Sequence, residues 1–288
     1  MSLDFGDFLE NSRYADVEFI VKSDAYSASK TFKAHKQLLA LRSDVFGAMF
    51  YGSLRERDTV LIQDLNPDGF RGLLKYVYTG RPAINNIEDA MYTRSAADKY
   101  LFNDLKNICT KYINDHLKAD NVCKLIDYSF VANGEVIDDV VEQVIQDNAA
   151  SVLSSAEFTL SMEQTVNFVL DRVPGVPAKV VIMAVYRWAV VHCSAEVASC
   201  DPSGRVANAV RPFLPKLKFL ALSPRQMTKF VTAEFTRDIL SKEEAFAILC
   251  EIIEPGTAVA LPEWLNPEGD VYARPKSSSR EPPCKRRR

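Results

Sequence analysis

Histidine is scarce in this chain of 288 residues. There are three, His35, His116 and His192, and none has a second ligand at metal-binding spacing on its own segment. His192 and Cys193 are neighbours, so on a helix they point in different directions and do not form a nucleophile pair. The chain also lacks a G-x-x-x-x-G-K-S/T loop, a G-x-G-x-x-G turn after a strand, a G-x-S-x-G elbow and an H-E-x-x-H helix. No enzyme and no cofactor are therefore expected. The six cysteines contain no C-x-x-C pair, which reads as reduced thiols in a chain that is not secreted. No run approaches 18 consecutive apolar residues, so no membrane-spanning helix is expected. The first ten residues carry acids and no apolar run, unlike a signal peptide. An excess of one charge is missing too. Thirty-five basic side chains face 38 acidic ones, a net charge of -3, whereas a nucleic-acid-binding domain is usually basic. Neither nucleic acid nor membrane is expected as a partner, and the expected location is cytoplasmic.

What is present is the composition of a globular protein, 47% hydrophobic and 25% charged, with a length that suggests about two domains. The first third reads as mixed α and β. Residues 15–21 alternate, with Val17, Phe19 and Val21 on one face, which is the period of a half-buried strand. Lys30-Thr31-Phe32-Lys33 is a second strand and Thr59-Val60-Leu61-Ile62 a third. Helices are expected over 34–40, after Ser43-Asp44, and from Asn66-Pro67-Asp68 to Thr79-Gly80. Two more are expected over 87–100 and 105–117. From about Ala119 the strand signal vanishes. Helices are expected over 121–132, 136–147, 161–170, 178–192, 206–213, 223–230 and 241–253, an all-α arrangement of stacked pairs. The final stretch, residues 273–288, has seven basic side chains and one acid and few apolar ones, the composition of a disordered tail.

In the first domain, Asp16-Val17, Phe32-x-Ala34-His35-Lys36, Leu38-Leu39-Ala40, Ser43-x-x-Phe46, Met49-Phe50 and Tyr76-x-Tyr78-Thr79-Gly80 follow in order. Together they closely resemble a BTB/POZ domain. The helical stretch from about 119 to 235, with Val185-Tyr186-Arg187-Trp188-Ala189 on one helix, is similar to a BACK domain. The pairing, continued by Phe219-Leu220 to Met227 and by Leu240 to Ile253, looks most like the BTB-domain-containing cullin-3 adaptors that elsewhere carry a C-terminal PHR β-sandwich. The resemblance stops near Pro255, so that sandwich is expected to be missing. The expected fold is α+β: an N-terminal BTB/POZ domain, a small sheet covered by helices, followed by an all-α BACK domain. Expected boundaries are an N-terminal helix over 1–12, the BTB/POZ domain over 13–118, the BACK domain and C-terminal helices over 119–255, and a tail over 256–288.

The resemblance implies a dimeric adaptor that binds cullin-3 and positions substrates for a ubiquitin ligase without catalysis of its own. Leu54-Arg55-Glu56 lies four residues after Phe50 and matches the φ-X-E motif of cullin-3 adaptors. There Leu54 would fill an apolar hole and Glu56 would accept hydrogen bonds from the partner. Phe5, Phe8 and Leu9 are spaced as an apolar helix face that a second copy, or a related BTB protein, would cover as a dimer interface. Asp16 and Lys36 occupy positions resembling the family's charged pocket, and pairing between them is expected because either would be costly to bury alone. Lys285, Arg286, Arg287 and Arg288 form a short basic run that serves as a nuclear signal in an alternative reading. That alternative is a nuclear scaffold of corepressor type. A competitor of cullin-3 adaptors also fits. The substrate protein is not legible.

Overall fold

In the computed structural model the described residues are 4–23, 28–53, 58–131, 138–173, 175–194, 202–233, 236, 239–258 and 260–265. In chain order they form α1 (Gly6–Asn11), β1 (Val17–Ser23), β2 (Ala28–Ala34), α2 (Lys36–Arg42), α3 (Asp44–Tyr51), β3 (Thr59–Ile62), α4 (Pro67–Thr79), α5 (Ile87–Lys99), α6 (Asn103–His116), α7 (Val122–Val131) and α8 (Asp138–Asp147). Then come α9 (Ala149–Ser154), α10 (Ala156–Leu160), α11 (Glu163–Leu170), α12 (Ala178–Ser194), α13 (Pro202–Val210), two 3₁₀ segments (Arg211–Lys216 and Phe219–Ala221), α14 (Pro224–Thr232) and α15 (Lys242–Ile253). The fold is α+β, with every described strand in the N-terminal part. The chain separates into two compact units, Met1–Val144 and Ile145–Arg288.

In the first unit β1 is the central strand. It pairs antiparallel with β2, with Val17 opposite Ala34, and parallel with β3, with Glu18 opposite Thr59. The alternation legible in the sequence turns Val17, Phe19 and Val21 inward, beside Val60 and Ile62 of β3. Helices α2 to α4 supply Leu39, Phe46, Phe50, Phe70, Leu73 and Leu74 to the same core, each such side chain stabilising by about 1.5–3 kcal/mol when fully buried. The Phe19 and Phe70 rings lie 4.9 Å apart, and Phe46 stacks on Tyr100 at 4.3 Å, offset aromatic geometries favoured by the ring quadrupoles.

The helix ends follow their capping residues. The Ser43 side chain accepts the Phe46 N–H at the start of α3. Asn66 accepts the Asp68 N–H, Pro67 opens α4, and Gly80 closes it in the left-handed conformation at φ 69°, each residue type suited to its position. One expected boundary moves. The helix expected over 34–40 begins at Lys36, because Ala34 still pairs with Val17 and its carbonyl accepts the Asp16 N–H at 3.1 Å. A backbone held in a ladder cannot also turn helical.

Helices α4 and α5 approach closely through glycine. A Cβ at Gly69 would stand 2.2 Å from the Tyr92 carbonyl oxygen, and one at Gly72 would stand 2.2 Å from Thr93 Oγ1. Helix α5 ends on Leu101 at φ 59°. The Leu101 N–H donates to Asp98 and the Phe102 N–H to Ala97, a closing motif whose left-handed position usually holds glycine. Helix α7 packs beside α5. Lys124 pairs with Glu88, Tyr128 hydrogen-bonds Ser95, and the Tyr92 and Tyr128 rings are 5.3 Å apart. Spatially the first unit therefore continues beyond residue 118.

The described elements of the second unit are all helices. Trp188, 5% exposed, sits among its helices, donates its indole N–H to the Ser161 carbonyl at 2.8 Å and meets the Phe213 ring edge-on at 5.2 Å. Helices α14 and α15 begin with capping boxes, Ser223 with Gln226 and Ser241 with Glu244, so their starts were legible. The helix expected over 206–213 instead occupies Pro202–Val210 and tightens into a 3₁₀ segment. Pro212 and Pro215 lack the N–H that an α-helix would need there. The short helices α9 and α10 were not anticipated, since their serine-rich sequence reads as a connector.

Gly69→Ala is expected to lower stability by about 2–3 kcal/mol, because the new methyl meets backbone rather than a yielding side chain. Leu101→Gly is expected to raise it by roughly 0.5–1 kcal/mol by relieving the left-handed strain, with little burial lost at a residue 67% exposed. Urea unfolding midpoints of the two variants should move in opposite directions.

Candidate functional site

The entry into α2 gathers most of the polar residues singled out in the sequence. The Tyr78 hydroxyl, brought by the last turn of α4, accepts the His35 backbone N–H at 2.9 Å and lies 2.7 Å from His35 Nδ1. His35 Nε2 is 2.6 Å from the Arg13 carbonyl oxygen. A carbonyl only accepts, so Nε2 carries the proton; in the neutral ring Nδ1 is then the acceptor and the Tyr78 O–H donates to it. Burial pushes the Tyr78 phenol up to about 12, so this hydroxyl keeps its proton at neutral pH. The Tyr78 carbonyl accepts the Phe5 N–H at 2.9 Å.

Asp16 and Lys36 meet here, but not as an ion pair between their side chains. Asp16 Oδ1 accepts the Lys36 backbone N–H at 2.8 Å, serving the first free donor of α2 from a neighbouring segment. The Lys36 ammonium, its side chain 18% exposed, goes to Asp58 Oδ1 at 2.7 Å and lies 5.8 Å from the Phe50 ring centroid. Lys36 holds the Asp58 carboxyl below the usual range, by hydrogen bond first and charge second. Asp16, Lys36 and Asp58 line one open depression with Lys33 and Thr59. The charge partner of Lys36 is thus Asp58, a residue the sequence did not single out. Asp58 lies 22 positions from Lys36 with no local pattern to mark it.

Asp58 directly follows the segment of the φ-X-E motif. Leu54 and Glu56 themselves lie outside the described residues, as does Lys285 to Arg288. On the near side of that segment Phe50 is buried and Gly52 donates to Ala48, ending α3. On the far side Asp58 is held by Lys36, and its carbonyl accepts the Glu18 N–H at 2.8 Å. Both flanks are therefore fixed to the core and to the sheet.

The N-terminal residues form α1 as expected from their spacing, and the apolar side chains divide. Phe5 and Leu9 pack against the core of their own chain. Phe8 remains 37% exposed, with its ring 6.0 Å from that of His35 and 6.3 Å from that of Phe5. Of the three, Phe8 is the one most open to a partner. The other histidines are structural neighbours of aromatic rings: His116 stacks on Tyr112 at 4.0 Å, and His192 lies 4.4 Å from Trp188. Among the described residues no group of His, Cys, Asp and Glu is placed to hold a metal ion, and no helix is long and apolar enough to cross a membrane.

Tyr78→Phe leaves the His35 N–H and Nδ1 without a partner and is expected to cost roughly 1–3 kcal/mol. Asp16→Ala is expected to cost about 1 kcal/mol, the scale of a lost helix cap, since Lys36 keeps Asp58. Chemical denaturation of both variants checks the order. The raised Tyr78 phenol also sets a sign for alkaline behaviour. The folded state holds that proton more tightly than the unfolded chain, whose tyrosines titrate near 10. Its contribution is therefore complete below pH 10 and is lost as pH rises towards 12. Stability measured from pH 9 upwards should fall through that window and fall less steeply in Tyr78→Phe. Some slope will remain, because burial also raises Tyr100.

Comparison with known proteins agrees with this architecture. Residues 5–117, which span α1 to α6 and all three strands, match the family model of the BTB/POZ domain. The chain is 32% identical over 237 residues to BTB/POZ domain-containing protein 6-B of Danio rerio, covering 81% of this chain and 48% of that protein. It is 30% identical over 241 residues to BTB/POZ domain-containing protein 6 of Homo sapiens, covering 83% and 43%. With BTB/POZ domain-containing protein 9 of Drosophila melanogaster it shares 29% over 191 residues, covering 65% and 26%. The chain thus spans less than half the length of these relatives. BTB/POZ domains mediate protein–protein interactions, including pairing with themselves and with relatives. With the sheet, the helices around it and the Tyr78–His35 junction all inside the matched span, residues 5–117 of this chain are a BTB/POZ domain.

Proposed function

We propose that this protein is an adaptor of the ubiquitin system: a BTB/POZ dimer that binds the N-terminal domain of cullin-3 and positions a substrate, without chemistry of its own. One observation carries the reading. Leu54-Arg55-Glu56 stands between two fixed flanks, the buried Phe50 at the end of α3 and Asp58, which Lys36 holds at the start of β3. Flanks held to the core and to the sheet set where a short anchor of one apolar and one acidic residue begins and ends along the chain. Phe8 at the exposed side of α1 supports pairing with a second copy, and a dimer would raise the effective concentration of substrate at each cullin. The helices after residue 118, with their BACK-like sequence, are the segment we assign to holding the substrate side, and the cytoplasm is where such an adaptor would act.

Calorimetric titration of the whole chain with the cullin-3 N-terminal domain is the test. Sub-micromolar binding with one cullin per protomer is expected. The double variant Leu54→Asp/Glu56→Lys should lose more than about 2 kcal/mol of binding while its unfolding midpoint stays unchanged. A folded dimer that does not bind cullin-3 would overturn the adaptor reading and leave a BTB/POZ scaffold.

A further inference from the structure

The second compact unit contains a groove among the helices assigned above to the substrate side, and the adaptor reading leaves its occupant unnamed. It lies between α12 and α14 and encloses about 230 Å³. Its floor is Ile182, Met183, Leu222 and Phe230, and Lys179 and Lys229 stand exposed at its rim. The volume is below the roughly 300–1,000 Å³ of pockets that take a whole small molecule. The floor is almost entirely apolar, so it has few polar atoms to orient a cofactor. What it suits is one or a few large apolar side chains projecting from a longer segment, and Met183 provides a surface that adapts to their shape.

The charge around the groove narrows the occupant further. The chain as a whole is acidic, at net -3, yet residues 202–233 contain six basic side chains and no acid, and α12 contains no Asp or Glu. Two of those cations are already engaged, Arg211 with Glu244 and Lys216 with Asp171. Lys179 and Lys229 have no acidic partner among the described residues. An apolar trough rimmed by ammonium groups that have no acidic partner among the described residues attracts a segment of opposite sign and repels one of like sign. The basic terminal stretch 273–288 of this same chain therefore has the wrong charge to fill it.

We propose that the groove between α12 and α14 docks an acidic amphipathic segment of a partner protein, with large apolar side chains on the floor and flanking carboxylates on Lys179 and Lys229. The mode is that of an amphipathic segment laid into a groove between helices. It is independent of cullin-3 binding, because none of the groove residues belongs to the BTB/POZ domain.

A random peptide library displayed against the immobilised full chain, with Lys179→Glu/Lys229→Glu as counter-target, tests it. The expected enrichment on the wild-type chain is of peptides combining aromatic or aliphatic residues with neighbouring Asp and Glu. A fluorescein-labelled peptide of the enriched sequence should bind at least about tenfold more weakly to the charge-reversed chain and more weakly as salt is raised. Met183→Lys, which leaves both rim cations in place and adds a third charge but spoils the apolar floor, should weaken it as well, and circular dichroism should report the helices of both variants intact. Leu54→Asp/Glu56→Lys should leave peptide affinity unchanged. The proposal is overturned by no enrichment, by enriched peptides without acids, or by enrichment that survives on the charge-reversed chain. It is equally overturned if a polyglutamate peptide binds as tightly as the enriched one, which would mean a basic patch only. Self-association in sedimentation that the charge reversal abolishes would overturn it in favour of a second copy.

Discussion

Tyr78, through its hydroxyl and its backbone carbonyl, ties together segments far apart in the chain. Through His35 it holds the start of α2, through the His35 ring it reaches the carbonyl of Arg13 ahead of β1, and through the Tyr78 carbonyl it holds Phe5 at the start of α1. The two contacts between the Tyr78 hydroxyl and His35 are partly buried, where an unmet polar group is costly. The position of α1, and with it of the partly exposed Phe8, depends on this junction. So does the angle at which β2 gives way to α2.

Lys36 is the next link. Its backbone N–H is met by Asp16 and its ammonium by Asp58, so one residue joins the approach to β1, the start of α2 and the entry to β3. An exposed ion pair of this kind adds little stability. Its value is positional, since it fixes the residue that follows Glu56 and Arg57 against the sheet. The expected ion pair between the Asp16 and Lys36 side chains does not form, because Asp16 meets a backbone donor and Lys36 a carboxylate that no local pattern marks.

The two compact units differ in how they are built. The first has a sheet, an aromatic core around Phe19, Phe46, Phe70 and Tyr100, and helices that approach through Gly69 and Gly72. The second stacks short helices around Trp188 and includes a stretch, residues 202–233, with six basic side chains and no acid. Segregated charge of this kind leaves fold choice almost untouched and governs instead what approaches the surface. A BTB/POZ surface and a basic apolar groove are therefore separate recognition devices with separate chemistry.

Much of the fold was legible in the sequence. Alternation marked β1, the run Thr59-Val60-Leu61-Ile62 marked β3, and the caps Ser43, Asn66, Gly80, Ser223 and Ser241 marked helix ends, because these signals act over a few neighbouring residues. The ordered run from Asp16 to Gly80 carried the family as well. Tertiary structure alone decided that Ala34 stays in the sheet, that Asp58 rather than Asp16 meets the Lys36 ammonium, that Phe5 and Leu9 turn inward while Phe8 does not, and that Lys179 and Lys229 rim one groove. Each of these depends on residues brought together from distant positions, where the winning partner is chosen by geometry in the packed state and leaves no trace in local spacing.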